Sequence, residues 1–270
     1  MPPSPASKRQ KTTSSSSSSP EPPYELLYWP GIPGRGEHIR LCFEATRTPY
    51  TDVVNASKSN MPQLTSLISD TNIGDATNPP PLAPPVLRHG KLLVSQTPNI
   101  LLYLAPQLGL AGPEDDGTAI YHVNQLALTA LDGLSNEAHD THHPVATGAY
   151  YEEQKAEAKK KAEDYVAKRL PKFLGYFERV LQSGASKGGE YLYAGVLTYA
   201  DLVLWQCLDG VMFAFPKALG KMREGGEYGK VFGLHERVKG RKEIEEYLGS
   251  ERRMKYSRGI YRHYPELDAE

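Results

Sequence analysis

Tyr28 stands at the lip of a tight Pro/Gly corner in YELLYWPGIPGRGEHIRL (Tyr24 to Leu41), and Arg35 follows it where a charged, helix-like stretch begins. A phenol at a strand tip offers a hydrogen-bond donor and an acceptor, and an arginine offers only donors. A strand–turn–helix corner carrying both suggests a ligand site, although an ordinary strand aromatic and a solvated helix-start arginine fit the same letters. A second such place is Ser95-Gln96-Thr97-Pro98, where a capping-type residue directly precedes a proline, as at a helix start. His139, His142 and His143 sit in HDTHH, which invites a metal. Zinc needs a defined constellation of ligands, and no matching Cys, His or Glu set lies nearby in sequence, so this stretch reads as a loop or helix end. GIPGRG does not match G-x-G-x-x-G, and there is no P-loop. Cys42 and Cys207 form no C-x-x-C pair and fit a reducing compartment, as buried small hydrophobes.

The elements that position these residues follow from periodicity and chain breakers. Tyr24–Trp29 reads as a strand between prolines, with Gly31, Pro33 and Gly34 breaking the chain after it. Ile39, Leu41, Cys42, Phe43 and Ala45 recur at mostly helical spacing, giving a helix over Glu37–Ala45 that closes before Pro49. Tyr50–Val54 reads as a second strand, and Ser57–Pro81 as a long proline-rich loop with one short helix. Val86-Leu87 and Leu92-Leu93-Val94 flank RHGK, where Gly90 can supply positive φ, which gives a hairpin. Ile100, Leu101, Tyr103 and Leu104 form the apolar face of the helix that begins near Thr97. This order makes a small α/β unit.

Beyond Gly112 the strand signals largely vanish. Tyr121–Ala138 is helical in pattern, and so is Gln154–Leu181, interrupted by Pro171. Thr198-x-x-Asp201 is a capping box with Asp in place of Glu, and it opens a nearly all-apolar helix that has to be buried. The fold class is therefore α/β followed by all-α, in three parts: a tail over 1–23 that reads as disordered from its serines and prolines, an α/β domain over 24–110 and a helical domain over 111–270.

A net charge of −1 gives no global attraction to nucleic acid or an anionic membrane. With 39% hydrophobic and 23% charged residues the composition is ordinary for a soluble globular chain. No run of about 18 apolar residues suggests a membrane span, and the N-terminus has no signal-peptide core. KRQK (Lys8 to Lys11) reads as a solvated basic cluster or a weak nuclear-import signal.

Three stretches, YELLYWPGIPGRGEHIRL, APPVLRHGKLLVSQTPNILLYL and LTYADLVLW, resemble in order and spacing the cytosolic glutathione transferases, particularly fungal members with a tyrosine-type site. The resemblance runs from Tyr24 to the C-terminal region. It implies a thioredoxin-like domain followed by a helical domain, usually in a homodimer, with glutathione as co-substrate, no metal, no nucleic-acid or membrane partner, and a cytoplasmic, detoxifying role. It implies that Tyr28 donates a hydrogen bond to the glutathione thiolate, which is the nucleophile, and so favours the charged sulfur. Arg35 matches a family arginine near the tripeptide or supporting the tyrosine, though the corner is one residue longer than the mammalian pattern. Gln96 and Thr97 match the pair that holds the γ-glutamyl carboxylate at a helix N-terminus. Pro85 matches the family's cis-proline. Pro84 takes the place of the residue that pairs, strand-like, with the cysteinyl part, and as a proline it has no N–H to offer. Asn124 stands where several members carry an acid that reaches the γ-glutamyl amine of the partner subunit. Asp201 matches a structural capping residue. The implied reaction joins the glutathione sulfur to an apolar electrophile. A non-catalytic apolar-ligand carrier of the same fold and a glutathione-dependent isomerase or peroxidase are the alternatives.

Overall fold

The computed structural model describes residues 22–268. The 1–23 tail reading, with KRQK, falls almost wholly outside them. Four strands form one mixed sheet in the order β2-β1-β3-β4. They are β1 (Tyr24–Leu27), β2 (Tyr50–Asp52), β3 (Val86–His89) and β4 (Leu92–Ser95). β2 runs parallel to β1, and β3 and β4 run antiparallel to their neighbours. The hairpin between β3 and β4 turns at Gly90 with φ +61°. Helix α1 (Glu37–Ala45) has the bounds its periodicity gave, preceded by a 3-10 turn over Gly34–Gly36. β1 stops at Leu27, two residues short of the sequence reading, and β2 stops at Asp52 because Val53–Ala56 coils into a short helix, α2. The long loop contains α3 (Met61–Leu67), and α4 (Thr97–Gln107) follows β4 directly.

All strands of the described residues precede α4; helices follow. They are α5 (Ala119–Ala130), α6 (Glu137–Asp140), α7 (Lys155–Asp164), α8 (Leu170–Gln182), α9 (Tyr199–Ala214), α10 (Pro216–Glu224), α11 (Gly229–Lys239) and α12 (Lys242–Leu248). A π-helical segment, Leu131–Asn136, joins α5 to α6, and another, Tyr165–Arg169, joins α7 to α8. The second lies just before Pro171. A proline ring clashes with the carbonyl four residues back and lacks an N–H, and the wider π turn relieves both. The chain therefore passes the proline without a break, where the sequence suggested an interruption. The helical face of α9 carries the interior: Leu202, Val203, Leu204, Trp205, Cys207 and Leu208 are fully buried. Its N-terminus is the capping box read from the sequence. Asp201 Oδ2 accepts from Thr198 N (2.8 Å) and Thr198 Oγ1 (2.7 Å), and Oδ1 accepts from Leu192 N (2.7 Å). Burial nevertheless pushes its carboxyl up to about 6. No single helix of the described residues is long and apolar enough to cross a membrane.

A buried ionic network, invisible in the sequence, ties α1 to the C-terminal segment. Glu37, with no exposed surface, accepts from Arg40 Nη1 (3.1 Å), Tyr247 Oη (2.6 Å) and Arg253 Nη1 (2.5 Å). Arg253 also reaches Asp209 on α9 (3.1 Å). Burial alone would raise the Glu37 carboxyl; the Arg253 and Arg40 guanidiniums and the Tyr247 hydroxyl outweigh it and hold it below its usual value.

Candidate active site

Register places three stretches in one row. Leu27 pairs with Val86, and Val86 pairs with Ser95. The next residue on each chain, Tyr28, Pro85 and Gln96, therefore stands at the same end of three adjacent strands. With strands about 4.8 Å apart, the row from Tyr28 to Gln96 spans roughly 10 Å, a length suited to an extended tripeptide.

The Tyr28 ring is buried, 5% exposed, under the Gly34–Gly36 turn. A Cβ on Gly34 would lie 2.2 Å from Tyr28 Oη, and one on Gly36 2.7 Å from Tyr28 Cγ, so side-chain-free residues are required at both places. Gly34 also has φ +48°. Gly34→Ala is expected to push the phenol out of its seat and lower activity about as far as loss of the hydroxyl does; a kinetic comparison with Tyr28→Phe checks it. The Arg35 backbone N–H donates to Tyr28 Oη at 2.8 Å. That occupies an acceptor position and leaves the hydroxyl proton free to be donated. Burial raises the Tyr28 phenol above its usual value, against the pull of the Arg35 N–H and the Arg35 and Arg40 charges. It stays protonated at neutral pH, a donor and not a base.

The corner is held from behind by a chain of hydrogen bonds that sequence reasoning missed. Arg40, fully buried, donates from Nη1 to the Pro33 carbonyl (3.0 Å) and from Nε to Asp52 Oδ2 (2.7 Å). Asp52 Oδ2 also accepts from Asn55 Nδ2 (2.8 Å), and Asn55 Oδ1 accepts from Gly31 N (3.0 Å). The loop is thus pinned at Gly31 and at Pro33, and Arg40 stands 5.7 Å from the Tyr28 ring centroid. The only local signal was a charged residue on the buried face of α1, and its partners lie elsewhere in the chain.

Arg35 supports Tyr28 through its backbone, while its side chain crosses to the helical part and donates to Asn136 Oδ1 at 3.1 Å. A Cβ on Gly259 would lie 3.8 Å from Ile32 Cδ1, so the C-terminal segment also approaches the corner. Pro84–Pro85 is a cis peptide bond. Gln96 has φ +70°, a conformation that costs a non-glycine residue on the order of 1–3 kcal/mol and that clusters at functional sites. Thr97 is 4% exposed, and its Oγ1 has no hydrogen-bond partner among the described residues. It opens α4, where the Thr97 and Asn99 N–H groups have no carbonyl within the helix and Pro98 between them has no N–H. An unpaired hydroxyl beside unpaired N–H groups is a seat for a carboxylate.

Asn124 is not part of this row. Its Oδ1 accepts from Tyr199 Oη at 3.0 Å, within the same chain. His139, His142 and His143 cluster at the end of α6 with ring centroids 4.7–5.0 Å apart, His139 stacked on His143 and His142 edge-on to both. His142 Nε2 lies 2.9 Å from the Ile260 carbonyl and so must carry the proton. Burial pulls His139 down to about 4 and His142 to about 3, so both are neutral at ordinary pH. Cys42 and Cys207 are buried, and burial pushes the Cys207 thiol up to about 12.

The family model described as "Glutathione S-transferase, C-terminal domain" matches residues 139–251. The chain is similar to the glutathione S-transferase of Plasmodium yoelii yoelii, with 23% identity over 69% of this chain and 77% of that one. The glutathione S-transferase of Plasmodium falciparum is also 23% identical, over 72% of this chain and 83% of the relative. A solved structure of the Pi-class glutathione S-transferase of Onchocerca volvulus shares the fold, with a TM-score of 0.59 and 22% identity over 83% of this chain and 91% of that one. The thioredoxin-like sheet followed by helices is the architecture of that solved structure, and the helical part carries the match to the glutathione S-transferase C-terminal domain.

Proposed function

We propose that the chain is a glutathione transferase that joins the glutathione sulfur to an apolar electrophile. The observation that carries this reading is the row Tyr28, Pro85, Gln96 at one sheet end, with a free phenol proton at one end and the unpartnered Thr97 hydroxyl near the other. The thiolate accepts from Tyr28 Oη–H, and the γ-glutamyl carboxylate sits on Thr97 and the first turn of α4. The cysteinyl amide runs past Pro84, which offers its carbonyl but no N–H. The missing bond costs about 0.5–1.5 kcal/mol of affinity. As the sulfur–carbon bond forms, the sulfur's electron pair enters the new bond and the electrophile's leaving group departs with its own pair. The second substrate lies between the corner and the helical part, where Arg35–Asn136 and Ile32 with Gly259 bound the opening. Arg35 is proposed to orient the tripeptide, and Asn124 to serve the partner's site through its amide Nδ2.

We further propose a homodimer in the cytoplasm. Exposed apolar side chains on β4, α4 and α5, namely Leu92, Leu102, Tyr121 and Leu128, support the dimer. Conjugation of glutathione to a chloro-nitroaromatic, followed by absorbance, tests the activity. Thr97→Val is expected to weaken glutathione binding roughly tenfold, as loss of a hydrogen bond to a charged group does, with kcat little changed; calorimetry and saturation kinetics check it. An apolar-ligand carrier of the same fold is the second reading, favoured by Pro84, and absence of calorimetric binding at millimolar glutathione would select it.

A further inference from the structure

A cavity of about 730 Å³ opens beside β2, the edge strand of the sheet, between the C-terminal half of α1, α12 and the segment around Met254. Its volume falls within the range of small-molecule sites, roughly 300–1,000 Å³. It is separate from the thiol site: Tyr28 packs at the start of α1, against Gly36, whereas Phe43 and Glu44 at the other end line this cavity.

The lining has two characters. Tyr50, half-buried, packs flat on the fully buried Phe43 with centroids 4.7 Å apart, and Tyr50 with Pro49 and Met254 gives the apolar part of the lining. Around it stand five carboxylates, Glu44, Asp52, Glu243, Glu246 and Glu251, against two guanidiniums, Arg47 and Arg252. Arg252 is committed to Glu44 (2.8 Å), and Arg47 is shared between Glu243 (3.5 Å) and Glu246 (3.1 Å). Even with Arg40 set against Asp52 and Arg241 against Glu243 (3.9 Å), three carboxylates face two cations. Asp52 Oδ2 takes two hydrogen bonds, but Oδ1 has no partner among the described residues. A half-buried tyrosine ring beside surplus negative charge favours an aromatic cation, through the ring face as well as the carboxylates.

We propose that this cavity is a second ligand site that takes an organic cation with a flat apolar body. Two of its wall residues, Asp52 and Asn55, also pin the Tyr28 corner, so the site adjoins the frame of the thiol site without sharing its ligand groups.

Calorimetry with N-methylquinolinium, and with quinoline at mildly alkaline pH as its uncharged counterpart, tests the proposal on the full chain without glutathione. The apolar opening beside Tyr28 could take either ring, so the cavity is assigned by the charge reversal and the Ala56 variant below, neither of which touches that opening, and failure of the transferase reading leaves their outcome untouched. The cation is expected to bind roughly tenfold more tightly than quinoline at low salt, an advantage that shrinks as salt screens the carboxylates. In Glu246→Lys with Glu251→Lys, both at the exposed rim, that advantage is expected to vanish. Ala56→Trp, at an exposed lining position, is expected to fill the cavity and remove the cation's advantage over quinoline while the melting temperature holds. Equal affinity of the two probes, no binding of either, or an advantage that survives the charge reversal would overturn the proposal. An unchanged advantage in a folded Ala56→Trp protein would do the same.

Discussion

Tyr28→Phe is expected to lower kcat/KM for conjugation by about 10- to 100-fold, because a hydrogen bond to a charged group contributes about 1.5–3 kcal/mol. The same change removes the donor and keeps the ring, so the packing under Gly34 and Gly36 survives. Glutathione affinity measured at a pH where the thiol is protonated should move less than threefold. The titration of the bound thiol, followed by thiolate absorbance, should shift upward by roughly one to two units, since each unit is about 1.4 kcal/mol. Substitution of Tyr24, whose hydroxyl donates to Gln107 Oε1 at 3.0 Å, should leave that titration in place. If Tyr28→Phe kept wild-type turnover, the phenol would have no part in activating the sulfur.

Glu37→Gln is expected to cost about 3–5 kcal/mol, the usual consequence of removing one partner from a buried ionic cluster. The amide fills the same space but leaves the Arg40 and Arg253 charges less compensated, both of them largely out of water. For a chain of this size about 1 kcal/mol corresponds to roughly 2–4 °C, so the melting temperature should fall by about 10 °C. The pH dependence has a definite sign. The folded carboxyl of Glu37 is held below its unfolded value of 4.5, so its contribution is present above pH 4.5 and is lost as pH falls through the folded value. Wild-type stability should therefore drop more steeply below pH 4.5 than that of Glu37→Gln, and paired denaturant titrations across that range check it. Arg40 links this cluster to the Pro33 carbonyl, so the variant is also expected to loosen the Tyr28 corner.

Local signals were legible in the sequence and long-range ones were not. The bounds of α1, the Gly90 hairpin, the start of α4 after Gln96 and the Thr198–Asp201 box each depend on residues within a few positions of one another. Tyr28 and Arg35 stood out at the corner of one short stretch, and the resemblance named Pro85, Gln96 and Thr97 in a second. The π segment at Leu131–Asn136 was not, because a slipped hydrogen bond leaves no compositional mark, yet it immediately precedes α6 and contains Asn136, which meets Arg35. Glu37 carried no signal beyond standing at the start of α1; its partner Tyr247 is 210 residues away. The frame of Arg40, Asp52, Asn55 and Pro33 escaped for the same reason: each residue is unremarkable alone, and only the fold closes the chain between them. Asn124 was placed by resemblance, and its bond to Tyr199 was beyond any local pattern.

The most direct measurement of the central claim is a crystal structure of the protein with glutathione bound. The account predicts the sulfur within hydrogen-bond distance of Tyr28 Oη and the γ-glutamyl carboxylate on Thr97 Oγ1 and the first turn of α4. A bound tripeptide whose sulfur lies out of reach of Tyr28, or whose carboxylate lies away from Thr97, would contradict it.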